Sequence, residues 1–124
     1  MLLNVEKKQL APDIIVLELT GRLALGRESQ RVQWQVEELL RENVRKVILD
    51  LSGLELIDSM GIGVIMFSAG QLKKAGGELR VAGAKGLVQD VLNLAKVDVV
   101  VGFYPTVMAA AEAFSQPSQL GHHA

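Results

Sequence analysis

The run Asp58-Ser59-Met60-Gly61-Ile62-Gly63 places a carboxylate, a hydroxyl and two glycines at one junction. It separates an apolar strand-like segment, Val47-Ile48-Leu49-Asp50-Leu51, from a helical pattern over about residues 60–75. A serine at such a junction lies at a helix N-terminus, where backbone N–H groups lack partners and the helix dipole is positive. That setting suits a hydroxyl that receives a phosphate, and the small residues that follow leave the surface around it open. Ser59 therefore reads as the switch of a protein-binding module rather than as an enzyme nucleophile. The plainer reading is a helix cap that is never modified, since serine and aspartate are both favoured caps. The sequence leaves open which of Asp58 and Ser59 takes that role. Asp58 makes a poor general base for Ser59, because adjacent residues in a turn seldom aim at each other.

Other chemistries find little footing. The Gly61-x-Gly63 pair lacks the third glycine of a dinucleotide fingerprint, position 66 being Met66, and no Gly-Lys-Ser/Thr follows as in a P-loop. A serine hydrolase would need His122 or His123 to fold back from the extreme C-terminus, and no Ser-x-x-Lys surrounds Ser59. No cofactor is expected, and those two histidines read as a solvated tail rather than a metal site. With no cysteine there are no disulfides, thiolate zinc sites or cysteine nucleophiles. Thirteen basic against fourteen acidic residues leave no nucleic-acid footprint. The N-terminus lacks the pattern of a signal peptide, and no apolar run reaches a membrane-spanning length. A cytoplasmic domain without membrane insertion is the expectation.

The elements around the junction follow from periodicity. Residues 3–10 can form a strand, Ala11-Pro12-Asp13 is a turn, and residues 14–19 form a second strand, so the pair reads as a hairpin. Gly21-Arg22-Leu23-Ala24-Leu25-Gly26 leads to a helix over about residues 27–42, with Val32, Val36, Leu39 and Leu40 as its apolar stripe. Residues 47–51 read as a strand covered on both faces, broken by Ser52-Gly53. The helix after Ser59 ends at Gly76-Gly77, a strand covers residues 78–82, and a short helix covers residues 87–95. Val99-Val100-Val101 reads as a last strand, and Pro105-Thr106 opens a terminal helix through Phe114. Residues 116–124 are expected to be a mobile tail, so the domain spans residues 1–115. The order β-β-α-β-α-β-α-β-α predicts one α/β domain, a mixed sheet of about four to five strands with helices packed over it.

Two features ask for a partner or a neighbour. In the helix after Ser59, Ile62, Ile65, Met66, Ala69 and Leu72 share one face, and Met60, Val64 and Phe67 fall opposite. This second stripe is either a partner surface beside the serine or a seam against another helix. Trp34, opposite the Val32, Val36 and Leu39 stripe, is either an interface anchor or a partly buried seam residue, and partial burial is expected.

At this point the chain resembles the STAS domain, specifically the bacterial anti-sigma-factor antagonists. The matching residues are Val47-Ile48-Leu49-Asp50-Leu51-Ser52-Gly53, then Ile57-Asp58-Ser59-Met60-Gly61-Ile62-Gly63-Val64-Ile65, then Gly76-Gly77-Glu78-Leu79. The resemblance implies a non-enzymatic antagonist with Ser59 as phosphoacceptor. Its partner would be both serine kinase and anti-sigma factor, held by the unphosphorylated antagonist so that a sigma factor is freed. A PP2C-type phosphatase would remove the phosphate. Asp58, Met60, Gly61, Gly63, Val64 and Phe67 would then form the partner-binding site of a monomer or weak dimer. The chain departs from many relatives at Met60, where another hydroxyl is common, and at Ala24, where a capping aspartate is common. Ala24 offers no nucleotide or cation contact. A STAS subunit of a larger assembly, such as a stress-signalling complex or a lipid-transport ATPase, is the alternative.

Overall fold

The computed structural model describes residues 2–114. The C-terminal segment, with His122 and His123, lies outside the described residues. β1 (Asn4–Ala11) and β2 (Ile14–Leu23) form the expected antiparallel hairpin, with a register irregularity between Gln9 and Ala11. They are followed by α1 (Gly26–Arg41), β3 (Lys46–Ile57), α2 (Ser59–Lys74) and β4 (Glu78–Ala82). The chain continues through α3 (Gly86–Leu94), α4 (Val97–Val100), β5 (Gly102–Tyr104) and α5 (Val107–Ala113). The strands make one mixed five-stranded sheet in the order β1-β2-β3-β4-β5, and every pair after the hairpin is parallel.

Apolar residues of opposite parity leave the sheet on its two faces, as the pleat requires. Leu17 and Leu19 of β2, Val47, Leu49 and Leu51 of β3, and Leu79 and Val81 of β4 meet the buried sides of α1 to α4 in the main core. Ile14, Val16, Ile48 and Ala82 face the other way and are covered by α5 through Ala110. This second layer also holds a buried charge. Arg80 is 1% exposed. Its Nε donates to Glu78 at 2.9 Å, its Nη1 donates to the Ala110 carbonyl at 3.1 Å, and its guanidinium lies 3.9 Å from the Phe114 ring. A buried guanidinium is tolerated only with its donors engaged; here they tie α5 to β4.

Two expectations are corrected. Ser52-Gly53 does not break β3: the strand runs on to Ile57, absorbing the disturbance as a shift in register against β2 between Glu18 and Thr20. Gly53 permits this because a Cβ there would lie 2.5 Å from the Thr20 side chain. Val99-Val100-Val101 is not a strand. Lys96, at φ 61°, ends α3, and Val97 and Val101 are buried one helical turn apart, joined by an N–H to carbonyl bond of 2.9 Å. The strand that completes the sheet is Gly102–Tyr104. Among the described residues no helix is long and apolar enough to cross a membrane.

Candidate functional site

The site forms where β2 and β3 end side by side. Adjacent parallel strands deliver their following loops to one edge of the sheet, so residues 24–26 and 58–60 meet although they are far apart in sequence. The Asp58 N–H donates to the Leu23 carbonyl at 3.2 Å, closing the strand pair. Asp58 then takes extended backbone and caps α2, its Oδ1 accepting from the Gly61 N–H at 3.0 Å. Its Oδ2 accepts from the Leu25 N–H, also at 3.0 Å. One carboxylate thus fastens the start of α2 to the start of α1. Burial alone would push the Asp58 carboxyl up, but the N–H groups of Leu25, Gly61 and Met60 outweigh it and hold the group below its usual value.

With Asp58 as the cap, Ser59 becomes the first residue of α2 and is exposed. The choice between the two left open by the sequence is settled for Asp58. Ser59 Oγ has no hydrogen-bond partner among the described residues. Around it lies apolar surface: Met60 is 54% exposed and Leu25 69%. Met60 Cε lies 3.5 Å from where a Cβ on Gly26 would stand, so its side chain reaches across to α1. Phe67, two turns along α2, is 45% exposed.

The two glycines of the junction do different work. A Cβ on Gly61 would strike the Leu23 carbonyl oxygen and would lie 2.9 Å from Ile57 Cγ1, so the position admits no side chain without movement. A Cβ on Gly63 would meet nothing within 4 Å, and the residue is exposed. Val64, expected on the exposed stripe with Met60 and Phe67, is 8% exposed and belongs to the main core. Because α2 is covered both by the sheet and by α1, its buried arc is wide. Gly61, Val64 and Ser68 form one buried row beside Ile65, Ala69 and Leu72.

A family model described as the STAS domain matches residues 6–110. The chain belongs to the STAS domain family. It is 28% identical over 104 residues to a candidate anti-sigma factor antagonist of Thermotoga maritima, covering 84% of this chain and 92% of that one. The crystal structure under that description superposes with a TM-score of 0.83 at 26% identity, covering 90% of this chain and 95% of the other. An anti-sigma F factor antagonist of Paenibacillus polymyxa is 26% identical over 92 residues, covering 73% of this chain and 78% of that relative. The Bacillus cell fate determinant SpoIIAA, solved in its phosphorylated form, shares the fold at a TM-score of 0.71 and 13% identity, covering 90% and 99% of the two chains.

Within this STAS domain the helix opposite Ser59 starts without a side-chain cap. Ala24 is half-buried, and the residue before α1 is Leu25, at φ 67° and ψ 145°. That positive φ is rare for a branched side chain and persists only when its surroundings hold it. The Asp58 carboxylate on its N–H and the Ser29 N–H on its carbonyl, at 3.1 Å, supply the hold. Sequence reasoning missed Leu25 as a site residue. No local sequence signal marks it, because the contact spans 33 residues and forms only once β2 and β3 pair in register. Trp34, expected to be partly buried, is 57% exposed.

Proposed function

We propose that this STAS domain is a phosphorylation-controlled anti-sigma-factor antagonist with Ser59 as its phosphoacceptor. Unphosphorylated, it binds a serine-kinase anti-sigma factor and so frees a sigma factor; phosphorylated, it lets that partner go. The observation that carries the reading is the division of labour at the start of α2: Asp58 takes the cap and leaves the Ser59 hydroxyl exposed. The similarity to antagonists of Thermotoga and Paenibacillus, and a shared fold with a protein known in phosphorylated form, support it.

The chemistry belongs to the partner. Its bound ATP supplies the γ-phosphoryl group, Ser59 Oγ forms the new O–P bond, ADP leaves, and the hydroxyl proton passes to a base of the kinase. Asp58 is unsuited to that task because its carboxylate is committed to the N–H groups of Leu25 and Gly61. A PP2C-type phosphatase would hydrolyse the ester to inorganic phosphate and restore the hydroxyl. A phosphate adds a charge of about −1.5 to −2 beside Asp58. In an interface fitted to a neutral hydroxyl that charge costs roughly 2–3 kcal/mol, about 100-fold in affinity.

The test is calorimetric titration of a serine-kinase anti-sigma factor encoded beside this gene. Ser59→Ala should bind like the wild type and take up no phosphate by intact mass, while Ser59→Asp should bind about 100-fold more weakly. Equal binding by Ser59→Asp and the wild type would overturn the switch.

A further inference from the structure

The exposed side of α2 extends well past Ser59. Met60, Gly63, Phe67, Gly70 and Lys74 are all exposed and follow one another at steps of three, four, three and four. That is the spacing at which one helix presents a continuous seam to another. At 1.5 Å per residue it runs about 21 Å from Met60 to Lys74. Two of its five positions are glycines inside the helix, where glycine is less stable than alanine. Neither is needed for packing: a Cβ on Gly63 or on Gly70 would meet nothing within 4 Å. Gly61 shows the contrast, since the fold leaves it no room for a side chain. Gly63 and Gly70 flank Phe67, so the seam has a ring at its centre and a bare stretch of backbone on either side.

We propose that this seam seats a single amphipathic helix of the anti-sigma partner, which approaches the α2 backbone closely at Gly63 and Gly70 and packs around Phe67. The inference rests on the proposed partner binding at Ser59 and extends that surface about 20 Å along α2. Charge says which helix fits. α2 carries no acidic residue, and its only charges are Lys73 and Lys74 at the C-terminal end. The occupant is therefore apolar along its middle and acidic where it lies over Lys74. A second copy of this chain is a poorer occupant. Laid parallel, it would set Lys74 against Lys74; laid antiparallel, it would offer Lys74 only the Asp58 carboxylate, already engaged by the N–H groups of Leu25 and Gly61.

The experiment pairs stability with binding in Gly63→Ala, Gly70→Ala and Lys74→Glu, with Ser59→Asp as reference. In the free protein each alanine should raise the melting temperature by about 2–5 °C, because alanine is the better helix former and fits. Against the unphosphorylated kinase partner, each alanine should weaken binding about tenfold or more, and Lys74→Glu should weaken it several-fold with a smaller salt dependence. A more stable protein that binds more weakly is the signature expected of an interface glycine. Retained affinity in both alanine variants, while Ser59→Asp still loses binding, would overturn the seam and leave the switch standing. Loss in neither set would overturn both readings. Sedimentation showing a dimer of the wild type that Gly70→Ala abolishes would assign the seam to a second copy and overturn the proposal.

Discussion

On the inward side of α2, Gly61 touches the end of β2 so closely that no methyl group fits; on the outward side, Gly63 and Gly70 stand in open space. Leu72 and Ile65 are fully buried inward, while Met60 and Phe67 leave about half their surface in water outward. One helix therefore carries two sets of residues under different constraints. The inward set is dictated by the sheet and by α1. The outward set makes few packing contacts, and Gly63 and Gly70 have room for a methyl group. The Asp58 carboxylate sits on the boundary, holding the fold together while leaving the neighbouring hydroxyl free.

Substitutions on the two sides should separate cleanly, and Leu72→Ala should give the largest effect. It empties a fully buried site and should cost roughly 2–5 kcal/mol in denaturant unfolding. Gly61→Ala comes next, at about 1–3 kcal/mol, since the added methyl must displace Leu23 or Ile57. A neutral outcome there would break the distinction between the glycines.

Asp58→Ala removes the α2 cap and the tie to Leu25, and should cost about 1 kcal/mol or somewhat more at neutral pH. Its pH dependence sharpens the case. The folded carboxyl is held below its ordinary value, so its contribution is present above the unfolded value of about 3.9 and is lost as pH falls through the lower folded value. The stability gap between wild type and Asp58→Ala should therefore narrow in acid, as urea titrations at pH 7 and near pH 3 would show. The smallest effect belongs to Phe67→Ala, within about 0.5 kcal/mol on folding, although the same change should weaken partner binding. A loss of several kcal/mol would place Phe67 with the inward set.

Local periodicity made much of this legible. The hairpin, α1, α2 and the alternation that builds a parallel sheet all follow from patterns within a dozen residues. The short apolar run Val99-Val100-Val101 did not resolve, because three β-branched residues suit a strand as well as one buried helical turn; only the burial of Val97 and Val101 decides it. The Ser52-Gly53 step reads as a break because its rescue comes from Thr20 on the neighbouring strand. Val64 reads as outward from the sequence because a helical wheel shows which residues share a face but not how wide the covered arc is. At the site, Ser59 and its neighbours are local and were readable. The bond from Leu25 to Asp58 spans 33 residues and exists only once β2 and β3 lie in register. Arg80 is the same kind of case: a charged residue in an alternating strand, buried because the Ala110 carbonyl of α5 and the Phe114 ring just beyond it come to meet it.

The strand order has a consequence for how the chain acquires its shape. Each strand lies beside the one made just before it, from β1 through to β5. No strand waits for a distant segment to be inserted between two others. A chain emerging from its N-terminus can thus extend a growing sheet by one edge at a time, with each new strand finding a template already in place. Loop closures stay at the length of a single crossover, so no pairing step has to close a longer loop than that. β2 and β3, whose ends carry the site, are available to pair before β4 and β5 have been made. The surface around Ser59 is thus among the first parts of the molecule that can form.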